Sequence, residues 1–148
     1  MNLDVRQANN HKGETIPFEF VIGPSDLDLR GEAHICSDIV VGGSYMYTGD
    51  DYIVSGCIKA RLDLECDRCA NDFTMDVSIP FEEEYTDETN GQHWERNVFT
   101  GKQINIKDLI EDNILLYLSG KILCSPQCKG ICPKCGADLN KGDCSCGI

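Results

Sequence analysis

The chain has 148 residues, 41% of them hydrophobic and 26% charged, and a formal net charge of −12. That length suits one ordinary domain with room for a small appended module, and the composition excludes disorder throughout. No stretch approaches the ~20 apolar residues of a membrane span.

The opening MNLDVRQANNHKGET has no apolar run of the kind a secretory signal needs. The chain therefore reads as cytoplasmic, where ten cysteines point to metal ligation rather than disulfides. Those first 15 residues are polar and predict a frayed segment. FEFVI at 18–22 reads as a short strand. Gly42-Gly43, Gly49-Asp50 and Asn90-Gly91 predict turns.

Two longer runs follow. YIVSGCIKARLDLEC (52–66) alternates, with Val54, Ile58, Leu62 and Leu64 on one face; DFTMDVSIPFEEEY (72–85) places Phe73, Met75, Val77, Ile79 and Phe81 at period two. Only DRCAN separates them, so they predict an antiparallel hairpin. INIKDLIEDNILLYLSG (104–120) is helical: Asn105 is placed as N-cap, and Asp108 and Glu111 suit the positive end of the helix dipole. Ile106, Leu109, Ile110, Ile114, Tyr117 and Leu118 mark its apolar side, and Gly120 is placed to end it. The whole predicts an α+β protein: an antiparallel β-rich body over residues 1–120, covered by one main helix at 105–119, with a cysteine-rich, zinc-ribbon-like module at 121–148 packed on it.

The charge is uneven. From residue 119 onward Lys121, Lys129, Lys134 and Lys141 stand against Asp138 and Asp143, a formal +2, which leaves −14 on the first 118 residues. So acidic a body disfavours broad phosphate contact and suits a basic protein partner. Glu82, Glu83, Glu84, Asp87 and Glu88 form an acidic run that reads as a solvated loop or as a contact for such a partner. His11, His34 and His93 lack ligand spacing and read as surface residues; Trp94 reads as core. Cys36 and Cys57 stand alone and read as small core residues.

Zinc prefers four thiolate or imidazole ligands in a tetrahedron, at roughly 2.3 Å for sulfur. Cys132-Pro-Lys-Cys135-Gly136 fits that need, because proline stiffens the turn and glycine can take the positive φ that turns backbone N–H groups toward the sulfurs. Cys144-Ser-Cys146 can close this site. Cys66-Asp-Arg-Cys69 and Cys124-Ser-Pro-Gln-Cys128 can complete a second, tying hairpin turn to tail. A different set, Cys124, Cys128, Cys132 and Cys135 on one ion, satisfies the spacing equally. One Zn2+ is expected and a second is permitted. All-cysteine ligation usually marks closed, structural sites, and no phosphate loop, Ser–His–Asp signature or HExxH is present, so no enzyme and no small-molecule substrate are expected.

LECDRCANDF (64–73) between two strands resembles the central CxRC motif of the YceD-like proteins. CSPQCKGICPKCGADLNKGDCSCG (124–147), after a helix, resembles the C-terminal signature of their cysteine-rich branch; the resemblance spans roughly residues 50 to 147. That family is a bacterial and plastid group implicated in accumulation of large-subunit ribosomal RNA. The resemblance implies a ribosome-assembly factor; the acidic face suits docking on a basic ribosomal protein or the assembling large subunit, with the lysines of the module placed to contact rRNA phosphates nearby. The resemblance also implies a functional surface around Arg68, to which Glu82, Glu83, Glu84, Lys129 and Lys134 are added as candidate partner contacts. A four-thiolate zinc centre carries about −2, which offsets the lysines of the module. Two other classes compete. A zinc-ribbon nucleic-acid binder in transcription is opposed by the acidic charge and the lack of a recognition helix. A thiol redox protein is opposed by the strand flanks of Cys66 and Cys69, since a thioredoxin-like motif opens a helix.

Overall fold

A computed structural model of the chain describes residues 1–90 and 97–146. Gly91, His93, Trp94 and Gly147, named above, lie outside the described residues. The elements in chain order are β1 (Asn2–Asp4), α1 (Val5–Asn9), β2 (Ile16–Ile22), β3 (His34–Ile35), β4 (Ile39–Tyr47), β5 (Tyr52–Glu65), β6 (Asp72–Asp87), β7 (Asn97–Phe99), β8 (Gln103–Asn105) and α2 (Lys107–Leu118), with short 3-10 turns at Pro24–Asp26 and Glu88–Asn90. One sheet runs β2-β4-β5-β6-β7 with β3 beside β5; β1 and β8 form a separate pair. All pairings are antiparallel except β6 with β7.

The predicted hairpin dominates. β5 and β6 pair without a break from Tyr52↔Tyr85 to Glu65↔Asp72. Period-two alternation turns Val54, Ile58, Ala60, Leu62, Leu64, Val77, Ile79 and Phe81 into the core. α2 packs against β6 and buries Leu109, Ile110 and Ile114, while Tyr117 points outward, so the sequence placed one residue too many on the apolar side. The N-cap is Ile106, not Asn105 as expected; Asn105 lies one residue earlier, in β8, and its Oδ1 accepts the N–H of Lys107, the first helical residue, at 2.9 Å. The helix ends where expected, with Ser119 as C-cap, its N–H donating to the Leu115 and Leu116 carbonyls, and Gly120 just beyond it. Asn105→Ala is expected to cost about 1 kcal/mol, within the ~0.5–2 kcal/mol range of cap substitutions. A urea melt should show that loss with an unchanged slope.

Three expectations are corrected. The first 15 residues are not frayed as a whole, because Leu3, Val5 and Ala8 are buried and β1 pairs with β8. Tyr45 Oη donates to the Asp4 carbonyl at 3.1 Å, fixing this segment to β4. Gly42-Gly43 is no turn but the middle of β4. Gly43 lies opposite Gly56, and a Cβ at Gly43 would fall 2.1 Å from the Ser55 carbonyl oxygen and 2.7 Å from the Gly56 Cα. The glycines are there because two backbones meet face to face. The acidic run, finally, lies largely in β6, with Glu82 and Glu84 on its exposed face and Glu83 half-buried; only Glu88 lies beyond the strand, in a 3-10 turn. The lone cysteines also differ from expectation: Cys36 is exposed, and Cys57 falls on the outward face of β5, with its sulfur 3.0 Å from Ser78 Oγ. No helix among the described residues is long and apolar enough to cross a membrane.

Candidate metal centre

The cysteine turns share one local design. In Cys66–Asn71 the Cys66 N–H donates to the Asn71 carbonyl at 3.0 Å and the Ala70 N–H to the Cys66 carbonyl at 2.8 Å. In 132–137 the Cys132 N–H donates to Ala137 O and the Gly136 N–H to Cys132 O, both at 2.8 Å. The fifth residue of each turn is left-handed: Ala70 at φ 54° and Gly136 at φ 73°. This kink aims the intervening N–H groups back at the first sulfur, as the Lys134 N–H shows at 3.4 Å from Cys132 Sγ. Glycine takes that conformation freely, whereas Ala70 takes it against its own Cβ.

The thiols gather in two foursomes. Cys66, Cys69, Cys124 and Cys128 form one and Cys132, Cys135, Cys144 and Cys146 the other, the sulfurs of each within 4.8 Å of one another. The set joining Cys124 and Cys128 to Cys132 and Cys135 is not the one that forms. In the first cluster Cys66 and Cys128 sulfurs are 3.9 Å apart and those of Cys69 and Cys124 3.7 Å. These separations are too long for a disulfide, near 2.0 Å. They match the edge of a tetrahedron with 2.3 Å bonds, about 3.8 Å. The donor set and its spacing therefore fit a metal ion held by four thiolates.

The electrostatics point the same way. Burial would raise the Cys66 thiol, but the N–H groups of Cys124, Arg68 and Cys69 outweigh it and bring it down to about 6. The N–H groups of Cys135 and Lys134, with the Cys144 thiol, bring Cys132 to about 6 as well. Burial and then the Cys69, Cys128 and Cys66 thiols push Cys124 up to about 12. At Cys144 the Cys146 N–H pulls down, but Cys132, burial and Cys135 push up by more. Each foursome thus sets one thiol lowered by backbone N–H groups beside another raised by burial and its neighbouring thiols.

The first cluster clasps the hairpin turn to the tail. Cys66, Cys69 and Cys128 are buried with Phe73 and Leu123 against them, and Cys124 sits at the rim. The Asp67 N–H donates to the Ile122 carbonyl at 2.9 Å and its carboxylate accepts the Ile122 N–H at 2.6 Å. Arg68 Nη1 donates to the Cys128 carbonyl at 2.6 Å, and its stem lies over Gly130, where a Cβ would come within 2.9 Å of Arg68 Cγ. The second cluster is more open: Cys132 is buried and Cys135 exposed. Among the other candidate contacts, Lys129 and Lys134 are exposed and Glu83 accepts from Asn97 Nδ2 at 3.2 Å.

Sequence reading gave no role to three residues beside the sulfurs. Asn71 Nδ2 lies 3.3 Å from Cys69 Sγ and 2.7 Å from Asp138 Oδ2; Asn140 Nδ2 lies 3.4 Å from Cys128 Sγ and 2.8 Å from Asp138 Oδ1. The Asn140 N–H, the Asn71 amide and the Asn140 amide, with Lys141 nearby, hold the Asp138 carboxyl down at about 2, so it stays ionised. Asp138 and Asn140 stand in the GADLN stretch already singled out, but only folding brings Asn71 to them.

Fold and site together define a β-rich protein whose cysteine-laden tail is fastened to the turn of its longest hairpin. Comparison with protein families matches residues 54–147 to the family described as "Large ribosomal RNA subunit accumulation protein YceD". The chain belongs to that family. It is 46% identical over 46 residues to the protein named "Large ribosomal RNA subunit accumulation protein YCED homolog 1, chloroplastic" of Arabidopsis thaliana, covering 31% of this chain and 14% of that one. The maize protein of the same name is 44% identical over 46 residues, 30% and 16% of the two chains. An uncharacterized protein of Mycobacterium tuberculosis is 28% identical over 120 residues, 77% and 51%. The chain thus spans about half the length of the mycobacterial relative and a small part of the plant ones. No solved structure matches.

Proposed function

We propose that this protein is a non-catalytic factor in large-subunit ribosome assembly, stabilised by two zinc ions and belonging to the cysteine-rich branch of its family. The observation that carries the zinc reading is the 3.7 and 3.9 Å sulfur separations, which suit a tetrahedral ion and not disulfides. The assembly role is supported by the family description and by the names of the plant relatives. Eight cysteines in two closed foursomes leave no open coordination position for a substrate, which favours a structural over a hydrolytic use of the metal.

The partner is a basic ribosomal protein or a basic region of the assembling particle, met in the cytoplasm. Support comes from the outward face of β6, where Asp72, Asp76, Glu82 and Glu84 are exposed along one side of the strand. Asp76 is paired with Arg61 at 2.8 Å, which offsets the charge at that point of the face. Such a surface steers a cationic partner more than it tightens the complex. Arg68 is engaged with the Cys128 carbonyl, which makes it a structural element of the contact surface.

Deleting the gene in its host and resolving ribosomal particles on a sucrose gradient tests this. Large subunits and their rRNA should fall and return with the intact gene. A normal profile with normal rRNA would sink the assembly role and leave a thiol-clasped module without it.

A further inference from the structure

The zinc reading treats the two clusters as separate sites, yet their surroundings are not separate. Asp138 belongs to the second loop. It lies three residues after Cys135, pairs with Ile131 across the loop, and follows Ala137, whose carbonyl accepts the Cys132 N–H at 2.8 Å. Its carboxylate nevertheless serves the first cluster. Each of its oxygens accepts one hydrogen of an asparagine amide, Asn71 at 2.7 Å and Asn140 at 2.8 Å. An amide nitrogen has two hydrogens, and the second of each is directed at a sulfur: Cys69 from Asn71 at 3.3 Å and Cys128 from Asn140 at 3.4 Å. The Lys129 N–H donates to Asn140 Oδ1 at 2.8 Å, which fixes which end of that amide faces the sulfur. The Asp138 side chain is only 14% exposed, so water competes little for these bonds.

We infer that Asp138 is a positioning residue for the first metal cluster: by holding Asn71 and Asn140 it presents two N–H donors to the thiolates of Cys69 and Cys128, and it makes retention of the first ion depend on the folding of the loop that binds the second. The inference rests on the zinc reading above. Its physical basis is that hydrogen bonds to sulfur spread the negative charge of a four-thiolate centre and slow its protonation, which is the route by which such a ligand leaves. Without Asp138 both amides lose an acceptor; the Lys129 N–H still orients Asn140, whereas Asn71 can turn its oxygen to the sulfur instead.

The test uses the full chain purified with zinc under a reducing agent. Zinc per chain is measured first, then its transfer to an excess of a chelating dye at neutral pH. Wild type, Asp138→Ala, Asn71→Ala and the Asp138→Ala/Asn71→Ala pair are compared. Two zinc ions per wild-type chain are expected, released in two phases. Asn71 stands in the hairpin turn and its amide faces Cys69, so the phase that Asn71→Ala accelerates belongs to the first cluster. Asp138→Ala should accelerate that same phase about 10- to 100-fold, the usual effect of removing an outer partner. The double variant should be no faster than Asp138→Ala alone, since Asp138 acts on Cys69 through Asn71. Cys144→Ser/Cys146→Ser, which removes the second ion, should speed the same phase. Wild-type rates in Asp138→Ala, or fully additive effects in the double variant, overturn the proposal. Fewer than two zinc ions in the wild type overturn the reading beneath it, a result visible before any variant is made.

Discussion

Changing Cys66 and Cys69 to serine should detach the tail from the body. Zinc per chain should fall from two to one, and trypsin should cut at Lys129 and Lys134 at least tenfold faster than in the intact protein. The size of the effect follows from what else holds the tail. Among its apolar residues Leu123 and Ile122 are partly buried, and Ile131 is 45% exposed, so little hydrophobic area fastens it. Zinc binding by small four-ligand sites supplies on the order of 10–16 kcal/mol to folding, as much as the ~5–15 kcal/mol net stability of a whole domain. The hydrogen bonds from Asp67 and Arg68 are worth about 1–3 kcal/mol each and cannot replace it. The hairpin should survive, because its core faces α2 rather than the tail; its amide protection by hydrogen exchange is the internal control. Unchanged protection of residues 121–146 in the variant would show that the clasp does not depend on these thiols.

Gly43→Ala should destabilise the body by about 3 kcal/mol or more, at the upper end of overpacking effects. The added methyl would lie 2.1 Å from the Ser55 carbonyl oxygen, and what lies beneath it is backbone, which has no rotamer to escape into. Gly56→Ala should be comparably damaging, since its Cβ would fall 2.4 Å from the Gly42 carbonyl oxygen and 2.9 Å from the Phe81 ring. Gly136→Ala meets nothing within 4 Å and carries only the cost of its left-handed backbone, about 1 kcal/mol. Urea titrations of the three variants check the ranking. Equal losses would mean that backbone conformation rather than close approach sets the cost.

The contrast between these glycines explains what the sequence concealed. A glycine pair signals a turn or a tight crossing with the same two letters, and only the partner strand decides between them. Gly49, with φ 117°, was a turn; Gly43 was a crossing. The β5–β6 hairpin was legible because period two persisted on both arms with one short interruption. The thiols were legible as pairs, since spacing within a turn is local. Their grouping was not, because Cys66 and Cys124 meet across 58 residues and several partitions satisfy the same local geometry. Asn71 and Asp138, separated by 67 positions, are an ordinary turn residue and an ordinary loop acid until the chain folds. The N-terminal segment was misread because three small or medium apolar residues, Leu3, Val5 and Ala8, are too few to register as a pattern yet enough to be buried.

The division of the first cluster between hairpin turn and tail has a consequence for synthesis. A ribosome makes this chain from its N-terminus, and the turn with Cys66 and Cys69 emerges long before Cys124 and Cys128. Until then the turn offers two thiols, half of a coordination sphere, while the second cluster lies wholly downstream, between Cys132 and Cys146. The complete donor set of the first cluster therefore exists only in a chain translated to residue 128 or beyond. A product that stops before residue 128 keeps the long hairpin but lacks the clasp, so closure of this site reports that translation has passed that residue.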